Sequence, residues 1–395
     1  MNNFNIYILS SRDLIASPAW ASIFEFEDLL AEWCDAEILC PKAKPAYKFA
    51  RLHHGTSATI ASKFGKLAGN FHQILDLKLS SQKQNILFLM DLSPDLLKKV
   101  TSISNWREKF DLVVGYVEDC CILESYPDYV NQFDTLFIPY EEYQAQLERF
   151  LSVPVKVIPY AFDVLNHGVG IGRRCIDVAS YGRTPQNYYF ALCNNFNSEQ
   201  QSDNFYYHSS ALATDHFPKI SYCNKRSDYL HRAQLKKTLQ HSKLILAFDF
   251  NYTVSEAALN LSKKHPSYRF DGAIIPRRWF ESTGVGSAIV GKKPKSGMMK
   301  TLFDWEDSTI ELPDDASEGV AFIQELLQDQ ERLNNIHYRN HLKSLELNDW
   351  RLRVRDMFKI LGVTLPDGVT QELEKLDNKI QSLKIHQNYT CHSSI

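Results

Sequence analysis

The chain has 395 residues, with Lys+Arg 44 against Asp+Glu 47 and a formal net charge of −3. Its 44% hydrophobic and 23% charged residues exclude disordered, collagen-like and disulfide-scaffold classes. The near-neutral balance provides no bulk field for nucleic acid. At roughly 100–200 residues per domain, the length favours two or three domains. No run reaches the ~18 apolar residues a bilayer span needs. The N-terminus lacks the basic flank and apolar core of a signal peptide. A cytoplasmic location without a transmembrane segment is the default expectation, and peripheral membrane contact stays open.

Short apolar runs alternate with amphipathic stretches along the first half. Residues 5–10 read as a strand. Residues 18–34 read as a helix, with Ile23, Phe26, Leu29, Leu30 and Trp33 at helical spacing. Strands follow at 36–40 and 85–90. The latter leads through Ser93-Pro94-Asp95 into a helix, with Ser93 as the expected N-cap. A strand at 111–117, a helical region at 123–131, a strand at 134–138, a helix at 140–151 and a strand at 155–158 complete this half. Strands separated by helices imply right-handed crossovers and a parallel sheet.

The pattern breaks at 163–174, a Gly-rich stretch without apolar periodicity that reads as an interdomain linker. It then restarts. Strands are expected at 176–180, 219–223, 243–248, 287–290 and 308–312. Helices are expected at 185–195, 227–240, 276–284, one long helix over 317–345, and 349–361. After Pro366 the tail is polar, with one weak amphipathic helix, and reads as peripheral.

Several patterns are set aside. None of the eight cysteines forms a CxxC pair, so no zinc site is indicated. Cys120-Cys121 reads as two small buried residues. His337 and His341 share a helix face, but Tyr338 stands where HExxH requires Glu. Gly168-Val169-Gly170-Ile171-Gly172 lacks the GxGxxG spacing, which removes a nicotinamide-cofactor reading. Gly286 to Lys293 mimics a P-loop but ends in Lys, where that motif has Ser or Thr.

The stretch from Arg269 to Pro294 carries chemistry. A loop enters a short helix at Pro276 that bears Arg277, Arg278 and Glu281 and ends at Gly284. A helix N-terminus beside arginines attracts phosphate. A carboxylate one turn in can accept two sugar hydroxyls. Phosphate plus polyol points to a nucleotide. This segment resembles the donor-binding helix of GT-B glycosyltransferases of the group 1-like type. Gly182-Arg183 resembles that family's diphosphate-contacting glycine and basic residue. Residues 157–163 resemble the end of its N-terminal domain, and Asp349 to Arg353 the terminal helix that crosses back.

The resemblance implies an α/β, GT-B-like fold with two Rossmann-like doubly wound domains facing a central cleft. It implies an acceptor domain at 1–162, a linker at 163–174 and a nucleotide-sugar domain at 175–345. A returning helix at 346–365 and a polar tail at 366–395 complete the division. It further implies a donor site of Gly182, Arg183, Arg277, Arg278, Glu281, Ser282, Thr283 and Gly284. There the arginines carry the diphosphate charge, Glu281 holds the ribose, and the amides of Ser282 to Gly284 approach the phosphates. No metal and no resident cofactor are called for, since no DxD pair suited to a metal–diphosphate bridge stands out. Two departures are plain. The position eight before Glu281, often a second glutamate, is Ala273, with Asp271 as the nearest acid. Thr184 to Asn197 contains no lysine, leaving Lys219, Lys225 or Arg226 to supply that charge.

The first half is expected to supply the acceptor wall. Glu118 and Asp119 follow a strand and are the candidates for catalytic base, ahead of Asp13 and Asp91. The expected partners are a nucleotide-sugar donor and a glycan, lipid or small-molecule acceptor, not nucleic acid. The other reading is a GT-B-shaped protein that binds nucleotide sugar or glycan without catalysis.

Overall fold

A computed structural model describes residues 3–14, 18–42, 72–80, 82–197, 203–209, 225–249 and 274–392. The expected strand at 219–223 and the positions Asp271 and Ala273 lie outside them. Two parallel sheets organise the chain. The first contains β1 (Phe4–Leu9), β2 (Glu37–Leu39), β3 (Gln84–Asp91), β4 (Leu112–Val117), β5 (Thr135–Ile138) and β6 (Val155–Val157), in the order β2-β1-β3-β4-β5-β6. The second contains β7 (Ile176–Tyr181), β8 (Tyr206–Ser209), β9 (Ser242–Phe248), β10 (Ala288–Lys292) and β11 (Ile310–Glu311), in the order β11-β10-β9-β7-β8. Ile86 to Met90 are all buried, as a strand covered on both faces requires.

The helices used below are α1 (Ala21–Cys34), α2 (Glu141–Phe150), α3 (Val164–His167), α4 (Gln186–Phe196), α5 (Lys225–Gln240), α6 (Arg277–Gly284), α7 (Ala316–Gln328), α8 (Gln330–Leu347), α9 (Trp350–Leu361) and α10 (Asp367–His392). Helix α1 buries Ile23, Phe26, Leu30 and Trp33 in one stripe against the first sheet. Helix α9 returns to that sheet. Trp350 stacks on Phe26 with ring centroids 3.9 Å apart, and Val354, Met357 and Phe358 join the same apolar cluster.

The structure corrects several local expectations. Residues 317–345 form two helices, α7 and α8, because Asp329 interrupts them and caps the second through Arg332 N at 2.9 Å. Residues 123–131 form two short 3-10 turns, Leu123–Ser125 and Asp128–Gln132, with Pro127 between them. Ser93 donates to Asp95 rather than capping the backbone, and Pro94–Ser102 is a 3-10 helix. Strand β8 went unforeseen because Tyr-Tyr-His-Ser offers no apolar run.

The tail is not peripheral. Helix α10 buries Val369, Leu376 and Ile380, with Leu373 and Leu383 packed alongside. Val369 joins the cluster of the first half, and Leu376 and Ile380 that of the second. The helix therefore straps both halves. Its Glu372 binds Arg351, a fully buried guanidinium also held by Asp163 and Asp349 and lying 4.6 Å from the Trp33 ring centroid. Three carboxylates and an aromatic face make that buried charge tolerable.

The linker is equally anchored. Arg174 donates to the carbonyls of Gly170, Ser242 and Val285. A Cβ at Gly168 would stand 2.3 Å from His341 Nε2, so glycine lets the chain pass that ring. His337 Nε2 lies 3.0 Å from the Lys243 carbonyl oxygen, and burial drives both imidazoles down to about 4.

Candidate active site

In a doubly wound sheet, ligands bind outside the carboxyl ends of the strands, where the strand order reverses. Here the reversals fall between β1 and β3 and between β7 and β9. Ser10 to Asp13 follow β1, and β3 ends at Asp91. Gly182-Arg183 follow β7. Beside them, α6 supplies Arg277, Arg278 and Glu281.

Local sequence fixes α6 in place. Pro276 occupies the N-cap in extended conformation, so Arg277 is the first helical residue. Trp279 and Phe280 are buried, and Phe280 packs edge-on against Phe303. The helix ends at Gly284, where a Cβ would come within 2.6 Å of the Phe162 ring.

Gly182 has φ +69°, a region glycine occupies without steric cost. Arg278 braces this turn. Its Nη1 donates to the Arg183 carbonyl at 2.8 Å, and its guanidinium carbon lies 5.8 Å from the Tyr181 ring centroid. Burial lowers its pKa. Arg278 therefore shapes the Gly182-Arg183 loop, while the Arg183 side chain is exposed.

Glu281 is 4% exposed. Its Oε2 accepts from the Tyr181 hydroxyl at 2.9 Å, and its Oε1 pairs with Arg232 Nη1. Burial pushes its pKa up, but Arg232, Arg277 and the hydrogen bonds outweigh that and hold it below the usual carboxylate range. Arg232 comes from α5. Its Nε reaches across to Glu25 of α1 at 2.7 Å, where Lys236 binds the other carboxylate oxygen at 2.7 Å. Against the cost of burial, Arg232 and Lys236 pull the Glu25 pKa down to about 2.

Glu118 shows the opposite behaviour. It follows β4 directly at 2% exposure, and its Oε2 has no hydrogen-bond partner among the described residues. Arg277 Nη1 stands 3.3 Å away, across the junction of the two halves. Burial raises the Glu118 pKa to about 7. Asp119 and Glu281 add to the rise, while Arg277 and Arg232 oppose it. Arg277 also lies 5.7 Å from the Tyr160 ring centroid. Asp119 is open to solvent, within electrostatic reach of Arg277 and Arg183, and surrounding protein raises its pKa.

The structure thus brings Glu118, Arg277 and Glu281 together, with Gly182-Arg183 beside them. Ser282, Thr283 and Gly284 follow Glu281 in the same helix. All three are buried in the last turn of α6, where helix geometry turns their amides into the helix, and Thr283 Oγ1 donates to the Trp279 carbonyl. Their burial does not favour the expected approach of these amides to phosphate. Asp91 is likewise occupied, accepting from Ser11, Trp20 and Lys99 at 2.5, 2.8 and 3.0 Å. Asp13 sits half-buried in the turn after β1. Arg232, Tyr181 and Glu25 were missed. Only the end-of-strand position of Tyr181 carried a signal.

Comparison with solved structures supports the architecture. Anabaena Alr3699/HepE, in complex with UDP and glucose, matches with a TM-score of 0.52 at 12% identity, over 91% of this chain and 99% of its own. The chain has the GT-B fold. An alpha-glucosyltransferase in complex with UDP-glucose and DNA containing an abasic site matches at 12% identity and a TM-score of 0.48, over 91% of this chain and 99% of its own. S. aureus TarM matches at 9% identity and 0.41, over 70% of this chain and 55% of its own. No family model matches the sequence, and no curated protein does. Among the described residues, no helix is long and apolar enough to cross a membrane.

Proposed function

We propose that this protein is a glycosyltransferase that moves a sugar from a nucleoside-diphosphate sugar to a hydroxyl acceptor of glycan, lipid or small-molecule type. The observation that carries this reading is the set of arginines around an ionised, buried Glu281 beside the Gly182-Arg183 turn, at the reversal of the second sheet. On a GT-B fold that set faces the carboxyl ends of the other half. The complex of HepE with UDP and glucose supports the same assignment. Arg183, Arg277 and Arg232 are the cations available to the diphosphate, and Glu281 would accept the ribose hydroxyls.

In the reaction, the acceptor oxygen bonds to the anomeric carbon as the carbon–oxygen bond to the diphosphate breaks. The acceptor proton passes to a carboxylate, and the diphosphate leaves with its charge neutralised by the arginines. Glu118, with a pKa near the operating pH and an oxygen that accepts no hydrogen bond and lies 3.3 Å from Arg277 at the junction, suits the base. Asp119 is the solvent-side alternative. No step here calls for a metal, so turnover is expected to survive EDTA.

The non-catalytic reading draws on one observation: both Glu281 oxygens are already engaged, by Arg232 and Tyr181. A calorimetric screen of UDP, GDP and ADP and their sugars, followed by mass spectrometry of products, separates the two. Donor binding with sugar release or transfer supports the enzyme. Binding without either supports the binding protein, and no binding removes both.

A further inference from the structure

We propose that Arg232 is a movable bridge that exchanges Glu281 for the donor diphosphate, so that nucleotide occupancy and contact between the two halves pass through one guanidinium. This inference rests on the donor site proposed above.

The geometry supplies three reasons. First, Glu281 cannot receive a ribose diol as it stands. Arg232 takes Oε1 and Tyr181 takes Oε2 at 2.9 Å, and the side chain is nearly closed to solvent. Each oxygen keeps a second acceptor site, but in a side chain this buried the space for a diol opens when one of these partners leaves. Tyr181 belongs to strand β7, whereas Arg232 sits at the end of a long, flexible side chain. Second, Arg232 can leave without stranding its other partner. Glu25 keeps Lys236 at 2.7 Å on its second oxygen. Third, the two arginines of α6 are not interchangeable with it. Arg278 is committed to the Arg183 carbonyl at 2.8 Å, and Arg277 faces Glu118 at 3.3 Å.

Electrostatics favours the exchange. Arg232 opposes the charge on Arg277, which Glu118 and Glu281 favour. A diphosphate arriving between the two arginines relieves that repulsion and offers Arg232 a bidentate partner. Glu281, released, then faces the ribose. Because Arg232 Nε is tied to α1 of the opposite half, its movement also alters how the halves are joined. Deleting Glu25 should free Arg232 for the diphosphate, whereas deleting Arg232 should remove it.

Calorimetry tests this with the tightest binder among UDP, GDP and ADP and with its parent nucleoside, which carries no phosphate. Arg232→Gln is expected to weaken the diphosphate about 10-fold or more. The nucleoside should bind as well as before or better, because Glu281 is unmasked. Glu25→Gln, a near-isosteric change outside the donor contacts, is expected to tighten the diphosphate several-fold. It decides the matter alone should Arg232→Gln not fold. Equal losses for diphosphate and nucleoside in Arg232→Gln would mean a static structural role and overturn the exchange. So would a Glu25→Gln variant whose diphosphate affinity is unchanged or weaker. Wild-type protein that binds none of the three diphosphates removes the donor site, and the exchange with it. Wild-type binding without these opposed responses removes the exchange alone.

Discussion

Glu281 and Glu118 are carboxyls of similar burial, 4% and 2% exposed, on opposite sides of one junction. Glu281 is paired with Arg232, hydrogen-bonded to Tyr181 and held ionised. Glu118 faces one guanidinium at 3.3 Å, has an oxygen with no hydrogen bond, and carries a pKa near 7. Burial acts on both alike, so partners make the difference. Hydrogen bonds to the charged form and nearby cations offset desolvation at Glu281, and their shortage lets desolvation dominate at Glu118. Two carboxyls pushed apart in this way can divide two tasks, one binding as a fixed anion and the other trading a proton.

Substitutions can break or sharpen that contrast. The largest effect is expected from Glu118→Gln, which should lower turnover by roughly 10²- to 10⁴-fold, the range for a lost general base. Donor affinity should hold. A parallel loss of donor affinity, measured by calorimetry, would place Glu118 in binding instead.

The same variant should change stability with pH in a defined direction. The Glu118 pKa is raised on folding from 4.5 to about 7. Its stabilising contribution is therefore complete below pH ~4.5 and lost as pH rises through ~7. Denaturant titrations should show Glu118→Gln gaining on wild type by up to ~3 kcal/mol across that window, at ~1.36 kcal/mol per unit. A gap constant with pH would mean that Glu118 titrates normally.

A smaller effect concerns the acid limb of turnover, expected near pH 7 with saturating donor. Arg277 lowers the Glu118 pKa, and Asp119 and Glu281 raise it. Arg277→Gln should therefore move the limb upward, by about one unit. A downward shift would assign the limb to another group. The smallest effect is expected from Ser282→Ala. This side chain is buried in the last turn of α6, so nucleotide affinity should change by less than about twofold. A tenfold loss would restore Ser282 to the donor contacts.

The sequence made the scaffold readable wherever burial leaves a continuous apolar run, as at β3 and β9. It hid β8, whose polar residues pair at the second sheet's β7 edge. Helix α10 was legible in principle. Val369, Leu373, Leu376, Ile380 and Leu383 recur at spacings of three and four, but the charged residues between them masked the stripe. Within the site, Glu281 and the arginines of α6 stood out because they share one short helix. Arg232 did not, since an arginine on an amphipathic helix reads as solvated until α5 packs beside α1 and meets Glu25. The pairing of Glu118 with Arg277 was hidden for the same reason, because it joins two different sheets of the chain.

The most direct test of the donor assignment is calorimetric titration of wild type and Glu281→Gln with the tightest-binding nucleoside diphosphate. The substitution keeps shape and removes charge. Losing a hydrogen bond to a charged group costs about 1.5–3 kcal/mol, so affinity is expected to fall by roughly 10- to 150-fold. Equal affinities in the two proteins would remove Glu281 from the nucleotide site and contradict the reading of this junction as a sugar-nucleotide pocket.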